Sequence, residues 1–408
     1  LITISIIGLS LFALTYSVWG GLSAVAWTDV VQVIILVLGG ILMTGIALTY
    51  VTPGGGIMEG LTHVYNTVPE RFSMILDKGE IITPDGRDAY FDLPGIAVLI
   101  GGMWIANTYY WGFNQYIIQR TFAAKSLDEA QKGIAFAAFL KLIIPIFVVL
   151  PGIIAYVINL DPSTGELVKT LPEGFVSQDG KILNDNAAPW LIKNYIPVGI
   201  KGLILAALAA AIVSSLASML NSTSTIFTMD IYKEYINKNA DDKILVKVGR
   251  IVVIISLFIA MLIAPEFGNL GQVFQAIQEY TGVVSPGILA VFIMGLFYKK
   301  ATNNAAIWGI LLSIPIAMYF KVVPKGWIEL FPSFSHGLFI SEIPFLHQMG
   351  ITFIITMIVI YIISYLEGNQ NDPKGIELSK NLFETKPSFN IPAFAVLIIT
   401  AMLYAIFW

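Results

Sequence analysis

The chain has no cysteine, only three histidines among 408 residues, and only 12% charged residues. Lack of cysteine excludes disulfide frameworks, thiol nucleophiles and zinc–thiolate centres, and His63, His336 and His347 are too scattered to suggest a metal cluster. A formal charge of −4 offers nothing to nucleic acid. No nucleophile–base pair or metal motif stands at a catalytic spacing, so no enzyme is expected. The shortage of charge, set against 56% hydrophobic residues, excludes the ordinary soluble classes.

What is present in quantity is apolar sequence. Stretches of the roughly 20 residues needed to cross a bilayer lie at about 1–19, 27–51, 94–122, 133–159, 199–229, 246–265, 271–298, 302–322, 346–366 and 390–408. These predict an all-α polytopic protein of about ten spans in a cell membrane, with the lipid bilayer as its solvent and no protein partner required. Pro145, Pro151 and Pro286 are expected to kink their helices rather than end them. The chain opens directly on Leu1-Ile-Thr-Ile-Ser, without initiator Met or signal peptide, and reads as the C-terminal portion of something longer.

Alternate connections carry Arg120, Lys125 and Lys132, then Lys233 to Arg250, then Lys299 and Lys300, then Lys374, Lys380 and Lys386. By the positive-inside rule these face the cytoplasm. The long intervening loops, about 52–93 and 160–198, hold turn chemistry at Pro53-Gly-Gly-Gly and Pro84-Asp85-Gly86 and are expected outside.

Within the spans, strongly polar groups cost about 2.5–3.5 kcal/mol each on insertion scales, so each needs a reason. Ser214, Ser218, Asn221, Ser222 and Thr225 follow one helix face, which suits helix packing as well as it suits a polar visitor. Lys141, Asn107 and Gln278 converge on mid-membrane depth, with Tyr110 and Trp111 beside the second of them. Amides and an amine bond hydroxyls while rings cover C–H faces, so the set fits a neutral, hydroxyl-rich solute. Snorkelling or pairing is the alternative for Lys141, and core packing for the two rings. The hydroxyls of Ser214 and Ser215, with the Ala211 carbonyl, offer about three oxygens to a hard cation such as sodium.

The run from Ala209 to Tyr232 resembles the hallmark helix of the sodium/solute symporters. Tyr16–Asp29, Asn114–Thr121 and Gly295–Ala306 are similar to the same family, with Ala305 replacing a usual glycine. Gln119-Arg120 matches its sugar-carrying branch. The resemblance implies a LeuT-type fold of inverted five-helix repeats and sodium-coupled symport of a hexose such as galactose or glucose, in a bacterial inner membrane. An amino acid, an inositol or a carboxylate is the alternative solute, and a non-transporting sodium-dependent sensor the alternative activity. It also implies that 1–51 holds the last two helices of the first repeat, 52–93 an extracellular loop, 94–298 the whole second repeat with its first helix interrupted near Asn107, and 299–408 accessory helices. Asn107, Lys141 and Gln278 then match sugar ligands, Tyr110 a closing aromatic with Trp111 its neighbour, and Ala211, Ser214 and Ser215 the sodium site. Asp29 matches an acid on the sodium exit path, or else a helix-start carboxylate held by the dipole.

Overall fold

A computed structural model describes every residue except 1, 84–85, 169–170, 173, 177–181, 270–271, 323–342, 369, 372–374, 376–377 and 380–382. Pro84, Asp85, His336, Lys374 and Lys380, all used above, lie outside the described residues. The helices are, in chain order, α1 (Ile2–Val51), α2 (Ile57–Thr67), α3 (Ala97–Ile100), α4 (Gly102–Thr108), α5 (Gln115–Phe122), α6 (Leu127–Val148), α7 (Leu150–Ile158), α8 (Ala187–Tyr195), α9 (Val198–Ile226), α10 (Asp242–Ile263), α11 (Val273–Phe297), α12 (Asn303–Val322), α13 (Phe345–Leu366) and α14 (Pro387–Ile406). Among the described residues, strand-like pairing is confined to isolated bridges. The chain is a multi-pass membrane protein, with eight segments long and apolar enough to cross a bilayer among the described residues.

The difference from ten arises at two places. Where two spans joined by a connection at about 20–26 are expected, α1 runs unbroken for 50 residues, or about 75 Å at 1.5 Å per residue. Gly20-Gly21 is the weak point there, at about 1 kcal/mol each, and no proline removes a backbone donor. The candidate span within α1 covers Asp29–Val51, and Ile2–Thr15 is a shorter apolar stretch.

The second place is 94–122, which is broken rather than continuous. Gly101 (φ −105°, ψ −131°) separates α3 from α4, a wide π turn follows at Tyr109–Phe113, and Asn114 is extended (φ −85°, ψ 115°) before α5. The cause is local. Thr108-Tyr-Tyr-Trp-Gly112 is a run of β-branched, aromatic and glycine residues, all poor at continuing a helix. An interruption is therefore present, but it flanks Asn107, which lies in the last turn of α4.

Pro145 and Pro286 remain inside α6 and α11, as expected. Pro151 does not: it occupies the first turn of α7, where a missing N–H breaks no helical bond.

The chain divides into two compact units. The first comprises Leu1–Phe72, Gln115–Val273 and Ile391–Thr400. In it α1 lies along α9, and Ala47, Leu48, Val64, Ile154 and Leu191 form a buried cluster from α1, α2, α7 and α8. Gly60 lets α2 cross α1 closely, since a Cβ there would stand 2.1 Å from the Leu48 carbonyl oxygen. Leu220, Val253 and Leu257 join α9 to α10.

The second unit comprises Ser73–Asn114, Phe274–Asn390 and Ala401–Trp408. Its helices approach through small residues, the usual means where lipid supplies no hydrophobic drive between helices. A Cβ on Gly287 would meet Ser313 Oγ at 1.9 Å, and one on Gly309 would meet Ile360 at 2.6 Å. Thr352, Thr356 and Ser364 are buried along α13, with Thr356 donating to the Thr352 carbonyl at 2.7 Å.

The α12 start is tied to the α13 end. Thr302 Oγ1 donates to Glu367, Asn304 Nδ2 donates to Glu367 Oε1 at 2.9 Å, and the Thr302 N–H donates to Ser364 Oγ at 3.2 Å. The Thr302 and Asn304 donors hold the Glu367 carboxyl below the usual glutamate range. A lowered folded pKa means that the contribution is present above the unfolded value, 4.5, and is lost as pH falls through the folded one. Glu367→Gln should accordingly lower the thermal midpoint at neutral pH, and the gap to the parent should close in acid. A gap that is independent of pH would remove the charge from this account.

Candidate functional site

In the first unit, α1, α5 and α9 bring six polar side chains together. Asp29 on α1 accepts from Arg120 Nε at 2.8 Å and Nη2 at 2.5 Å, and from Ser214 Oγ through its other oxygen. Arg120 Nη2 also donates to Ser218 Oγ at 2.5 Å, and Ser218 Oγ donates to the Ser214 carbonyl at 2.9 Å. Gln119 Nε2 reaches the Ser218 carbonyl at 3.2 Å, and Asn221 Nδ2 donates to Gln119 Oε1 at 3.2 Å. Ser218 is 1% exposed and Gln119 5%. The geometry follows from helical spacing: Ser214, Ser218 and Asn221 share a face of α9, and consecutive Gln119 and Arg120 meet it from α5.

Asp29 is therefore no helix-start carboxylate. α1 passes straight through it, and its charge is answered by a guanidinium instead of a helix end. Ser214, expected among the sodium ligands, spends its proton on this carboxylate and keeps its oxygen lone pairs. Ala211 is half-buried and Ser215 exposed on the same helix. Thr225 is also exposed and donates back to the Asn221 carbonyl, at 2.9 Å. Among the described residues no group of three or more His, Asp and Glu side chains is placed to hold a metal ion.

Lys141 lies in α6, which starts six residues earlier than expected, with Ser126 as its N-cap accepting from Glu129 N–H at 3.3 Å. Lys141 is thus about 21 Å along its helix.

In the second unit, Asn107 and Tyr110 are half-buried, and Tyr110 and Trp111 stand edge to face with centroids 5.2 Å apart. Gln278 is half-buried near the start of α11. Its neighbour Glu279 pairs with Lys321 of α12 at 3.4 Å, and the Lys321 ammonium sits 4.0 Å above the Tyr280 ring. This clamp ties the first turns of α11, which carry Gln278, to α12.

The structure brings Asp29 and Ser214 into contact and adds Arg120, Gln119, Ser218 and Asn221 as their partners. Sequence signals for the last two lay in the hydroxyl and amide stripe. Nothing in the chain could announce that Arg120 closes on a carboxylate 91 residues away.

A profile of the Sodium:solute symporter family matches residues 2–313. The Sodium/glucose cotransporter of Vibrio parahaemolyticus is 53% identical over 99% of this chain and 70% of its own length. Sodium/myo-inositol cotransporter 2 of Oryctolagus cuniculus is 32% identical over 80% of this chain and 48% of its own. Among solved structures, a Na+-coupled sialic acid symporter in a substrate-bound outward-open state aligns with a TM-score of 0.65 at 25% identity, covering 89% of this chain and 66% of that one. That likeness carries the LeuT-type fold.

Proposed function

Since the chain belongs to the sodium:solute symporter family, we propose that it serves sodium-coupled uptake of a hexose such as galactose or glucose through the cell membrane. The single observation that carries this reading is 53% identity, over nearly the whole chain, to a sodium/glucose cotransporter. Asn107, Lys141 and Gln278 supply amide and amine groups to sugar hydroxyls, Tyr110 closes over the solute, and Trp111 supports that ring. The Ala211 carbonyl, Ser214 and Ser215 hold sodium, which is a co-substrate of transport, and Asp29 lies on its way out.

The proposed mechanism is alternating access. Sodium shifts the equilibrium toward the sugar-binding conformation only by the difference in its affinity for the two states. One charge moving through about 100 mV supplies roughly 2.3 kcal/mol. At about 1.4 kcal/mol per factor of ten, this supports accumulation of about 50-fold.

The test is Ser215→Ala in proteoliposomes. Sodium-driven uptake should be lost while the protein remains folded and monodisperse. Unchanged sodium dependence would remove the ion site from α9. A second reading, inositol as solute, has support in the 32% identical myo-inositol cotransporters. Competition of unlabelled glucose, galactose and myo-inositol against labelled sugar separates the two.

A further inference from the structure

We infer that Arg120 is the internal counter-ion of Asp29, with which sodium leaving Ser214 must compete for that carboxylate as it passes through the protein. This rests on the sodium assignment to Ser214 and Ser215. The observation is that one carboxylate serves two clients. One Asp29 oxygen takes both N–H prongs of Arg120, at 2.8 and 2.5 Å, while the other takes the Ser214 hydroxyl. An ion leaving Ser214 therefore meets a carboxylate already neutralised by a cation.

The partners hold Arg120 in that position. Its Nη1 donates to the Tyr116 carbonyl at 3.3 Å and its Nη2 to Ser218 Oγ at 2.5 Å, while Gln119 is anchored on Ser218 and Asn221. Asp29 and Arg120 are 16% and 32% exposed at their side chains, so the pair is shielded from bulk water without being sealed from it.

Physical consequences follow for the ion. With the guanidinium in place, the net charge of the pair is zero, so the Asp29 carboxylate holds sodium only weakly and transiently. Without the guanidinium, the same carboxylate is a bare anion beside a serine oxygen, which is a deep well for a hard cation. Binding tightens and release slows.

The experiment measures the sodium concentration for half-maximal sugar uptake, the maximal rate, and sugar KM at saturating sodium. For Arg120→Gln the half-saturating sodium concentration should fall by about tenfold, the order expected for an uncompensated charge, and the maximal rate should fall with it, while sugar KM stays. Arg120→Lys keeps the charge but loses the two-pronged grip. It should shift sodium in the same direction by less, and it carries the test if the glutamine variant does not fold. Adding Asp29→Asn to Arg120→Gln should return the half-saturating concentration toward the parent value. A merely structural tie predicts lower thermal stability with half-saturating sodium unchanged or raised, and that result would overturn the inference. If Ser215→Ala abolishes sodium dependence while Arg120→Gln leaves half-saturation unmoved, the counter-ion role fails alone. If Ser215→Ala leaves sodium dependence intact, the ion site itself is misplaced.

Discussion

Gly102→Val should abolish accumulation of folded transporter. The Cβ of any side chain at Gly102 would stand 1.8 Å from the carbonyl oxygen of Leu346 and 2.9 Å from its Cα. Both neighbours are backbone atoms of α13, which cannot rotate aside as a side-chain tip can. Overpacking ordinarily costs about 1–3 kcal/mol where neighbours can yield. Here α4 and α13 must separate, taking apart the buried cluster of Val98, Leu346 and Met349. Size-exclusion profiles and thermal midpoints in detergent check this, with Gly102→Ala expected to be weakened in the same direction. Normal yield and midpoint for the valine variant would mean that the close approach is not required.

The second large effect is on sugar recognition. Lys141→Ala and Gln278→Ala should raise the KM for sugar while half-saturating sodium at high sugar stays near the parent value. A hydrogen bond involving a charged group contributes about 1.5–3 kcal/mol, so losing the Lys141 contact should raise KM by roughly 10- to 100-fold. The neutral amide of Gln278 contributes about 0.5–1.5 kcal/mol, a factor of two to ten. The unequal sizes are themselves a check, since a general loosening of the protein would not rank amine above amide. Parental KM in both variants would withdraw the pair as ligands.

Much of the helical plan was legible because the physics behind it is local and repetitive. A run of apolar residues at bilayer length has one solution for its backbone, so the spans from α9 to α14 appear within a few residues of where hydropathy puts them. The failures also have local causes. Two glycines at Gly20-Gly21 suggest a turn, but their cost is small enough for a helix to carry, and α1 continues through them. Short amphipathic helices were missed for another reason. α2 and α8 lie in stretches read as loops, and they exist because Gly60, Val64 and Leu191 find a core. Of the ion-related residues, Ser214 and Asp29 could be found separately by their polarity. Their meeting could not, because a contact spanning 185 residues leaves no trace in spacing.

The wide turn at Tyr109–Phe113 holds one more residue per hydrogen-bonded ring than the helix before it. That extra residue is slack, and slack in a helix can be handed on. Moving it along by a step exchanges backbone hydrogen bonds instead of discarding them, while each residue it passes turns by about 100° around the axis. Tyr110 and Trp111 sit inside the turn, so the place of that one extra residue along the chain sets the direction in which both rings leave the backbone.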